Sequence, residues 1–445
     1  VDQNDLTGIF FVGFEGFEDF QDGLFQVGLG TKAGDDYRNK GTHNYLTSKL
    51  FYLNFSVSQI GRKEQMKKKI VIIGAGCFQK ALIEKAKEMG VETHVFAWEE
   101  GAVGKEAADF FYPVSIREKE KILKQCKRIR PDGAVTIASE LANITVSYLT
   151  EKLGLPGNCD RCVEMTTNKA RMRKRMQEAG LSGPDFCVVS REMATNFRPV
   201  FPFPVVVKPT DRSGSRGVKR VDGQKQLRRA MEDAFSCSFE KKVIVEEWIE
   251  GKEYSCECLS WQGKHYCLAI TEKYTTGAPE YVETGHLEPA LLPDADKVRQ
   301  EVFRVLDILE VKNGASHTEF KIDDSGRIRM IEVGSRMGGD CIGSDLVPLA
   351  TGVDYVADVI RIALGKPPVM AKGTCYGAAA VKFFLTEKDK KLPEKVKADP
   401  QLSLISHCNE ECGGGPVLDS TQRGGYFIFA GESYDAVRKI MEDPR

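Results

Sequence analysis

Glu319 and Glu332 are the first residues whose types and spacing imply chemistry. They lie in NGASHTEFKIDDSGRIRMIEVGSRMGGDCIG, residues 313–343. HTEFKI and RIRMIEV have strand composition, and DDSG between them is turn chemistry. A two-residue loop at Ser325 and Gly326 pairs Asp324 with Arg327, and counting outward sets Glu319 opposite Glu332. A four-residue loop keeps that register; a three-residue loop shifts it by one. Alternation then sends Phe320, Ile322 and Ile331 to the other face, towards a core. Two carboxylates facing each other across a hairpin repel. Neutralising one, as in Glu332→Gln, is therefore expected to leave the metal-free protein no less stable. Paired carboxylates that leave room for substrate phosphates are the usual way to hold Mg²⁺. The alternative is two solvated glutamates on an outer face. Arg336, Gly338 and Gly339 follow at once and weigh against it.

Other charged residues stand upstream in a definite order. Lys208 lies in VVVKPTDRSGSRGV, where Pro209 excludes helix, so the lysine projects from a strand end. Ser213, Gly214, Ser215 and Gly217 form a small, flexible loop whose N–H groups can approach phosphate oxygens. GxxxxGK[ST] is absent, and a plain hairpin turn is the alternative. Lys169 heads the helical stretch TNKARMRKRMQEAG, capped by Thr167 or Asn168. A cation there opposes the helix dipole, a cost that a bound phosphate would offset. Glu246, Glu247, Trp248 and Ile249 follow the apolar strand VIV. Such a linker can offer its backbone to an adenine edge, with Glu253 accepting ribose hydroxyls. Taken singly these are ordinary exposed acids.

The elements that must position these residues can be read along the chain. Its 445 residues suggest roughly three domains. With 42% hydrophobic and 29% charged residues the composition is that of a globular protein. A net charge of −1 implies no nucleic-acid or membrane partner. No apolar run approaches the roughly 20 residues of a membrane span. Thirteen scattered cysteines suit reduced thiols in a cytoplasm. Cys159 with Cys162, and His407 and Cys408 with Cys412, read as incidental thiols, because zinc usually takes four ligands.

Residues 1–65 are Phe- and Gly-rich without sustained period. They read as an atypical extension, from a start placed upstream of Met66 or as a genuine addition. From Lys67 strands and helices alternate, which implies a parallel sheet over residues 66–165. Gly74, Ala75 and Gly76 suggest a dinucleotide turn, but Gln79 replaces the third glycine of GxGxxG, so no nicotinamide cofactor is expected. Residues 166–366 carry the charged order described above. Residues 367–445 form a smaller α+β segment.

Taken together, Lys169, Lys208, the Gly loop, Glu246–Ile249, Glu253, the glutamate hairpin and Arg336 resemble the ATP-grasp superfamily. The resemblance covers nearly everything after Met66. It implies an α/β and α+β fold: a Rossmann-like preceding domain, a two-subdomain ATP-grasp domain and a C-terminal subdomain. VIIGAGCFQKALIEKAKEMG and NKARMRKRMQEAG are similar to the preceding-domain pattern. The resemblance implies that Lys169 and Lys208 contact ATP phosphates, Lys208 also reaching the adenine side, beneath the loop from Ser213 to Gly217. It gives adenine to Glu246, Glu247 and Ile249, the last two through backbone, and ribose to Glu253. It gives Mg²⁺, or Mn²⁺ in its place, to Glu319 and Glu332, and the transferring phosphoryl group to Arg336. The family often has Glu-x-Asn where this chain has Glu332-Val333-Gly334, which puts a second metal in doubt.

TEKYTTGAPEYVETGHLEPA, GASHTEFKI and EVGSRMGGDCIGSDLV are similar to the L-amino-acid ligases and to carnosine-synthase-like enzymes. This implies small-molecule carboxylate and amine substrates, an acyl-phosphate intermediate and a homodimer. It makes Glu283, His286 and His317 pocket candidates, with Gly338 and Gly339 leaving room for a substrate carboxylate beside Arg336. The two histidines have an alternative as hydrogen-bonded structural residues. Carboxylase-like or carbamoyl-phosphate chemistry within the superfamily, and a nicotinamide oxidoreductase outside it, are the competing functions.

Overall fold

Apolar runs without alternation make strands covered on both faces. The first of them, β1 (Lys69–Ile73), is fully buried from Ile70 onward. The computed structural model describes residues 67–409 and 417–443; the extension over residues 1–65, the start at Met66 and the ligand candidate Cys412 lie outside them. After β1 come α1 (Cys77–Glu88), β2 (Glu92–Ala97), β3 (Phe110–Pro113), α2 (Lys119–Ile129), β4 (Gly133–Val135) and α3 (Glu140–Leu153). The four strands form one parallel sheet in the order β3-β2-β1-β4. In the turn after β1, Gln79 accepts from Gly76 N–H at 3.0 Å and donates to Ile137 C=O at 2.7 Å. Its side chain thus ties the turn after β1 to the segment that follows β4. α3 begins at Ser139, whose side chain accepts from Ala142 N–H, and ends at left-handed Gly154.

α4 (Asp160–Thr167) leads to α5 (Lys169–Glu178), and of the two cap candidates Asn168 is used: its side chain accepts from Ala170 and Arg171 N–H. β5 (Phe186–Ser190), β6 (Val205–Pro209), β7 (Lys219–Val221), α6 (Gln224–Cys237) and β8 (Lys242–Glu247) follow. Their strands make an antiparallel sheet, β5-β8-β6-β7, on which α6 buries Leu227, Met231 and Phe235.

The rest of the chain builds a single sheet of eight strands. Its elements are β9 (Lys252–Trp261), β10 (Lys264–Thr275), β11 (Glu283–Glu288), α7 (Ala295–Ile308), β12 (Gly314–Ile322), β13 (Ile328–Gly334), α8 (Tyr355–Ala363), β14 (Ala378–Phe383), α9 (Leu392–Ala398), β15 (Leu402–Asn409), β16 (Gly425–Gly431) and α10 (Tyr434–Glu442). The strand order is β13-β12-β9-β10-β11-β14-β16-β15. Strands from residues 367–445 therefore continue the sheet that carries the glutamate hairpin. No helix among the described residues is long and apolar enough to cross a membrane.

The hairpin reaches the expected glutamate pairing by another route. Ile322 pairs with Ile328, so five residues form the loop, and this odd number shifts the register by one. A bulge between Glu319 and Phe320 on one side and Met330 and Glu332 on the other shifts it back, and Glu319 faces Glu332 after all. The extra residue is Ile331. It was expected in the core with Phe320; instead it is half-buried and lines a cavity, while Met330 and Val333 take the core positions.

α8 joins the first sheet to the large one. Its Val359, Ile360 and Ile362 pack into one core with Ile70, Ile72 and Val135. At the contact the backbones are too close for a side chain: a Cβ on Gly133 would lie 2.3 Å from Ala363 C=O. Gly133→Ala is expected to cost about 1–3 kcal/mol, the usual range for overpacking. A lowered urea midpoint with an unchanged slope would show it; an unchanged midpoint would mean that this joint yields without cost.

Candidate functional site

A cavity of about 190 Å³ lies between the antiparallel sheet and the large sheet. Lys169, Lys208, Ser213, Gly214, Ser215, Glu246, Glu247, Ile249, Glu253, Glu283, His317, Glu319, Glu332 and Arg336 all line it. A second cavity, of about 400 Å³, shares Glu140, Ser213, Gly214, Lys273, Glu283, His317, Glu319 and Arg336 with the first, and adds His286 and Gly339. Two expected residues lie on neither lining. Gly217 (φ 73°) packs against Pro209 and Cys237. A Cβ on Gly338 would come within 3.0 Å of His317 and Glu257, so this glycine makes room for that pair rather than for a substrate.

The facing carboxylates do not rely on a metal for compensation. Lys273 Nζ is 2.6 Å from Glu319, and Lys169 Nζ is 2.8 Å from Glu332. Burial alone would lower the pKa of Lys169, but the Glu332 charge and hydrogen bond raise it. Burial would likewise raise Glu319, yet Lys273 and His317 pull it well below the usual carboxylate range. The expectation of bare mutual repulsion is thus corrected. Glu332, where the sequence suggested a bound phosphate, offsets the cation at the head of α5. Both carboxylates still line one cavity, together with Lys169 and Lys208, so the residue set fits a divalent cation.

α5 carries a second cation one turn on. Arg173 is 2% exposed, contacts Glu246 at 2.8 Å and donates to the carbonyl of the bulge residue Ile331. Glu246 also binds Lys208 Nζ at 2.6 Å. Its carboxylate thus holds the lysine at the end of β6. Nearby, Glu247 is engaged three times: its N–H donates to Asp185 C=O at 2.8 Å, and its carboxylate accepts from Arg329 at 2.8 Å and from Asp185 N–H at 3.3 Å. Ile249 C=O accepts from Lys321 Nζ at 3.2 Å. Trp248 lies between the cations of Arg220 and Lys321, 4.7 and 4.5 Å from its ring centre. Glu253, expected at a ribose, contacts Lys273 Nζ at 3.0 Å.

Arg336 is held by Glu140 from the first turn of α3 and donates to Met337 C=O at 3.1 Å. Burial would raise Glu140, but the Arg336 charge beside it brings its pKa down to about 2. The guanidinium also accounts for Gly334. A Cβ there would sit 3.3 Å from Arg336 Cζ, so the arginine occupies the space beside the position where Asn was the family alternative.

His317 bridges Glu257 (2.6 Å) and Glu319 (3.2 Å). Desolvation would lower its pKa, but the two carboxylates push it up to about 9. His286 is 3.4 Å from Asp340, and burial lowers its pKa. Asp340 receives two hydrogen bonds from Arg423, at 2.9 and 2.7 Å. Glu283 accepts from Ser215 Oγ at 3.3 Å, and burial raises its pKa.

Glu140, Arg173, Lys273, Lys321, Asp340 and Arg423 were not found from the sequence. Lys273 sits in the quoted stretch TEKYTTGAPEYVETGHLEPA, but its partners come from β9 and β12, and only the register of β9 against β10 places it beside Glu253. Glu140 had a usable signal, an acid directly after a Ser cap. Arg423 comes from a turn nearly a hundred residues beyond Arg336 and carries no local motif.

Two outcomes follow from this charge arrangement. In Glu332→Gln, Lys169 Nζ loses its nearest counter-charge and keeps only neutral acceptors, Arg212 C=O and the new amide oxygen. Metal-free stability should fall by about 1–3 kcal/mol, the cost of a buried group left short of a partner. Urea unfolding in EDTA measures it; equal or higher stability would restore the repulsion view. The second concerns pH. A His317 pKa raised from 6.5 to about 9 contributes stability that is complete below pH 6.5 and is lost as pH rises through 9. Native stability should therefore decline between pH 7 and 9.5, and His317→Gln should flatten that slope. The same slope in both proteins would refute the bridged, charged imidazole.

An ATP-grasp domain matches residues 201–344. Carnosine synthase 1 of Gallus gallus is 25% identical over 336 residues, 68% of this chain and 36% of that protein. A D-alanine–D-alanine ligase of Alcanivorax borkumensis is 30% identical over 203 residues, 42% of this chain and 61% of that protein. The chain thus spans less than two thirds of the length of each of these two relatives. The crystal structure of the L-amino acid ligase from Bacillus licheniformis superposes with a TM-score of 0.70 at 23% identity, covering 85% of this chain and 98% of that one. The matches agree on this much: residues 201–344 are similar to the ATP-grasp domain, and the chain shares the mixed α/β fold of the solved ligase.

Proposed function

We propose that this chain is an ATP-dependent ligase that joins a carboxylate, an amino acid in the first instance, to an amine. The observation that carries the reading is the meeting of two cavities at Glu319, Lys273 and Arg336. The first is suited to a nucleotide. It has a linker of Glu247, Trp248 and Ile249 at one end and Lys169 and Lys208 with two carboxylates at the other. The second adjoins it where a γ-phosphate would end.

ATP-grasp ligases use ATP with Mg²⁺ or Mn²⁺. Glu319 and Glu332 would hold the ion, which neutralises charge on the transferring phosphoryl group. Lys169 and Lys208 bind phosphate oxygens, and Glu246 and Arg173 keep Lys208 aimed at them. Arg336, fixed by Glu140, faces both cavities and stabilises the negative charge that grows as a substrate carboxylate attacks the γ-phosphorus. The product of that step is an acyl phosphate and ADP. An amine then attacks the acyl carbon, phosphate leaves, and an amide remains. Glu283, buried beside Ser215, faces the second cavity and suits an ammonium group. Loop residues 213–217 cover the junction and keep water from the acyl phosphate.

The four-stranded parallel sheet is read as the preceding domain of the superfamily. It adds Cys77 and Phe78 to the second cavity without binding a dinucleotide. A cytoplasmic location accords with the reduced cysteines.

The test is phosphate release from Mg·ATP across a panel of amino acids, with mass detection of the amide. Release that needs an amino acid and falls by orders of magnitude in Arg336→Lys, while Mg·ATP still raises the melting temperature, supports the ligase. Release driven by bicarbonate alone would assign carboxylase-type chemistry instead.

A further inference from the structure

Three thiols converge behind the strands that carry Glu253 and Lys273. Cys256 and Cys258 are two apart on β9, so they leave the strand on the same face, and both are fully buried. Cys267 stands on β10 opposite Cys258, beside a bulge, and is half-buried. The Sγ of Cys256 is 3.6 Å from that of Cys258 and 3.4 Å from that of Cys267; all three lie within 4.8 Å of one another. Zinc–thiolate bonds of ~2.3 Å place tetrahedral sulfurs ~3.8 Å apart, so little movement is needed to ligate one ion.

We infer that Cys256, Cys258 and Cys267 form a site for one thiophilic divalent cation of the zinc class, on the face of β9 opposite Glu257. An all-sulfur set rejects Mg²⁺ and Ca²⁺ and selects soft or borderline ions. Charge selects within that group. Three thiolates leave a net −1 on a divalent ion and −2 on Cu⁺. Arg299, from α7, interacts with Cys267 and can offset one negative charge in an otherwise apolar surrounding. Loading binds one ion, forms three metal–sulfur bonds and releases to solvent the protons that the three thiols carried.

The site would also act on the front of the sheet. Glu257 lies between Cys256 and Cys258, points the other way and holds His317. An ion at the three sulfurs pins the register of β9 on β10 from behind.

The experiment titrates the fully reduced protein with Cd²⁺, reading the thiolate-to-cadmium ultraviolet band, with Zn²⁺ as competitor and proton release in weak buffer. One equivalent, proton release on binding and a raised melting temperature are expected. The band should vanish in Cys256→Ala/Cys258→Ala and persist in Cys159→Ser/Cys162→Ser. Should the double variant fail to fold, Cys267→Ser tests the same set at its half-buried member. A band that survives these changes, a stoichiometry that follows Cys159 and Cys162, or no band with all thiols reduced would overturn the site. So would a loss of two hydrogens by mass in place of metal binding.

Discussion

Charge burial governs the architecture around the site. Lys169, Arg173, Lys208, Glu246, Glu257 and Lys273 are each 9% exposed or less, and an unpaired ion in such a place costs several kcal/mol. Each finds a counter-charge on a different element. α5 supplies Lys169 to β13 and Arg173 to β8; β10 supplies Lys273 to β9 and β12; β12 supplies His317 to β9. The antiparallel sheet and the large sheet are thus brought into one relation by charge matching, in addition to apolar contact. The same lattice sets what a ligand must do. A phosphate arriving at Lys169, or a cation arriving at Glu319, enters a set of pairs that is already complete and has to share partners with it.

How much of this could be read in the sequence depends on how local each feature is. Helix ends were legible because their signals sit within a few residues: Asn168 caps α5, and Gly154 stops α3. The order of charged motifs was legible because each lies on its own short stretch. Partners were not. Glu319 and Glu332 were read as a repelling pair since their lysines come from 46 and 163 residues away in sequence. Gly338 was read as space for a substrate, while it is space for His317 and Glu257. Pairings across long sequence separations are fixed only by the register of several strands at once, and a single stretch carries no trace of that.

The site also cuts across the divisions drawn along the chain. Glu140 belongs to the first helix-and-sheet unit, Arg336 to the end of the glutamate hairpin, and Arg423 to the last segment, yet all three border one cavity. Glu140 also borders the cavity between the two sheets and a third opening beside Asn168 and Arg212. Its link to Arg336 therefore stands where three openings meet.

The bulge at Ile331 divides its strand into two phases. On the turn side, Phe320 against Met330 follows the core; on the other, His317 against Gly334 and Glu319 against Glu332 follow the site. Each phase is anchored by its own packing, so the surface turn at residues 323–327 is mechanically insulated from the carboxylates. That turn is free to drift in sequence, so long as its odd length and the bulge keep compensating each other, without carrying the glutamate pair out of alignment. The chemistry and the solvent-facing tip of one short hairpin can thus change independently.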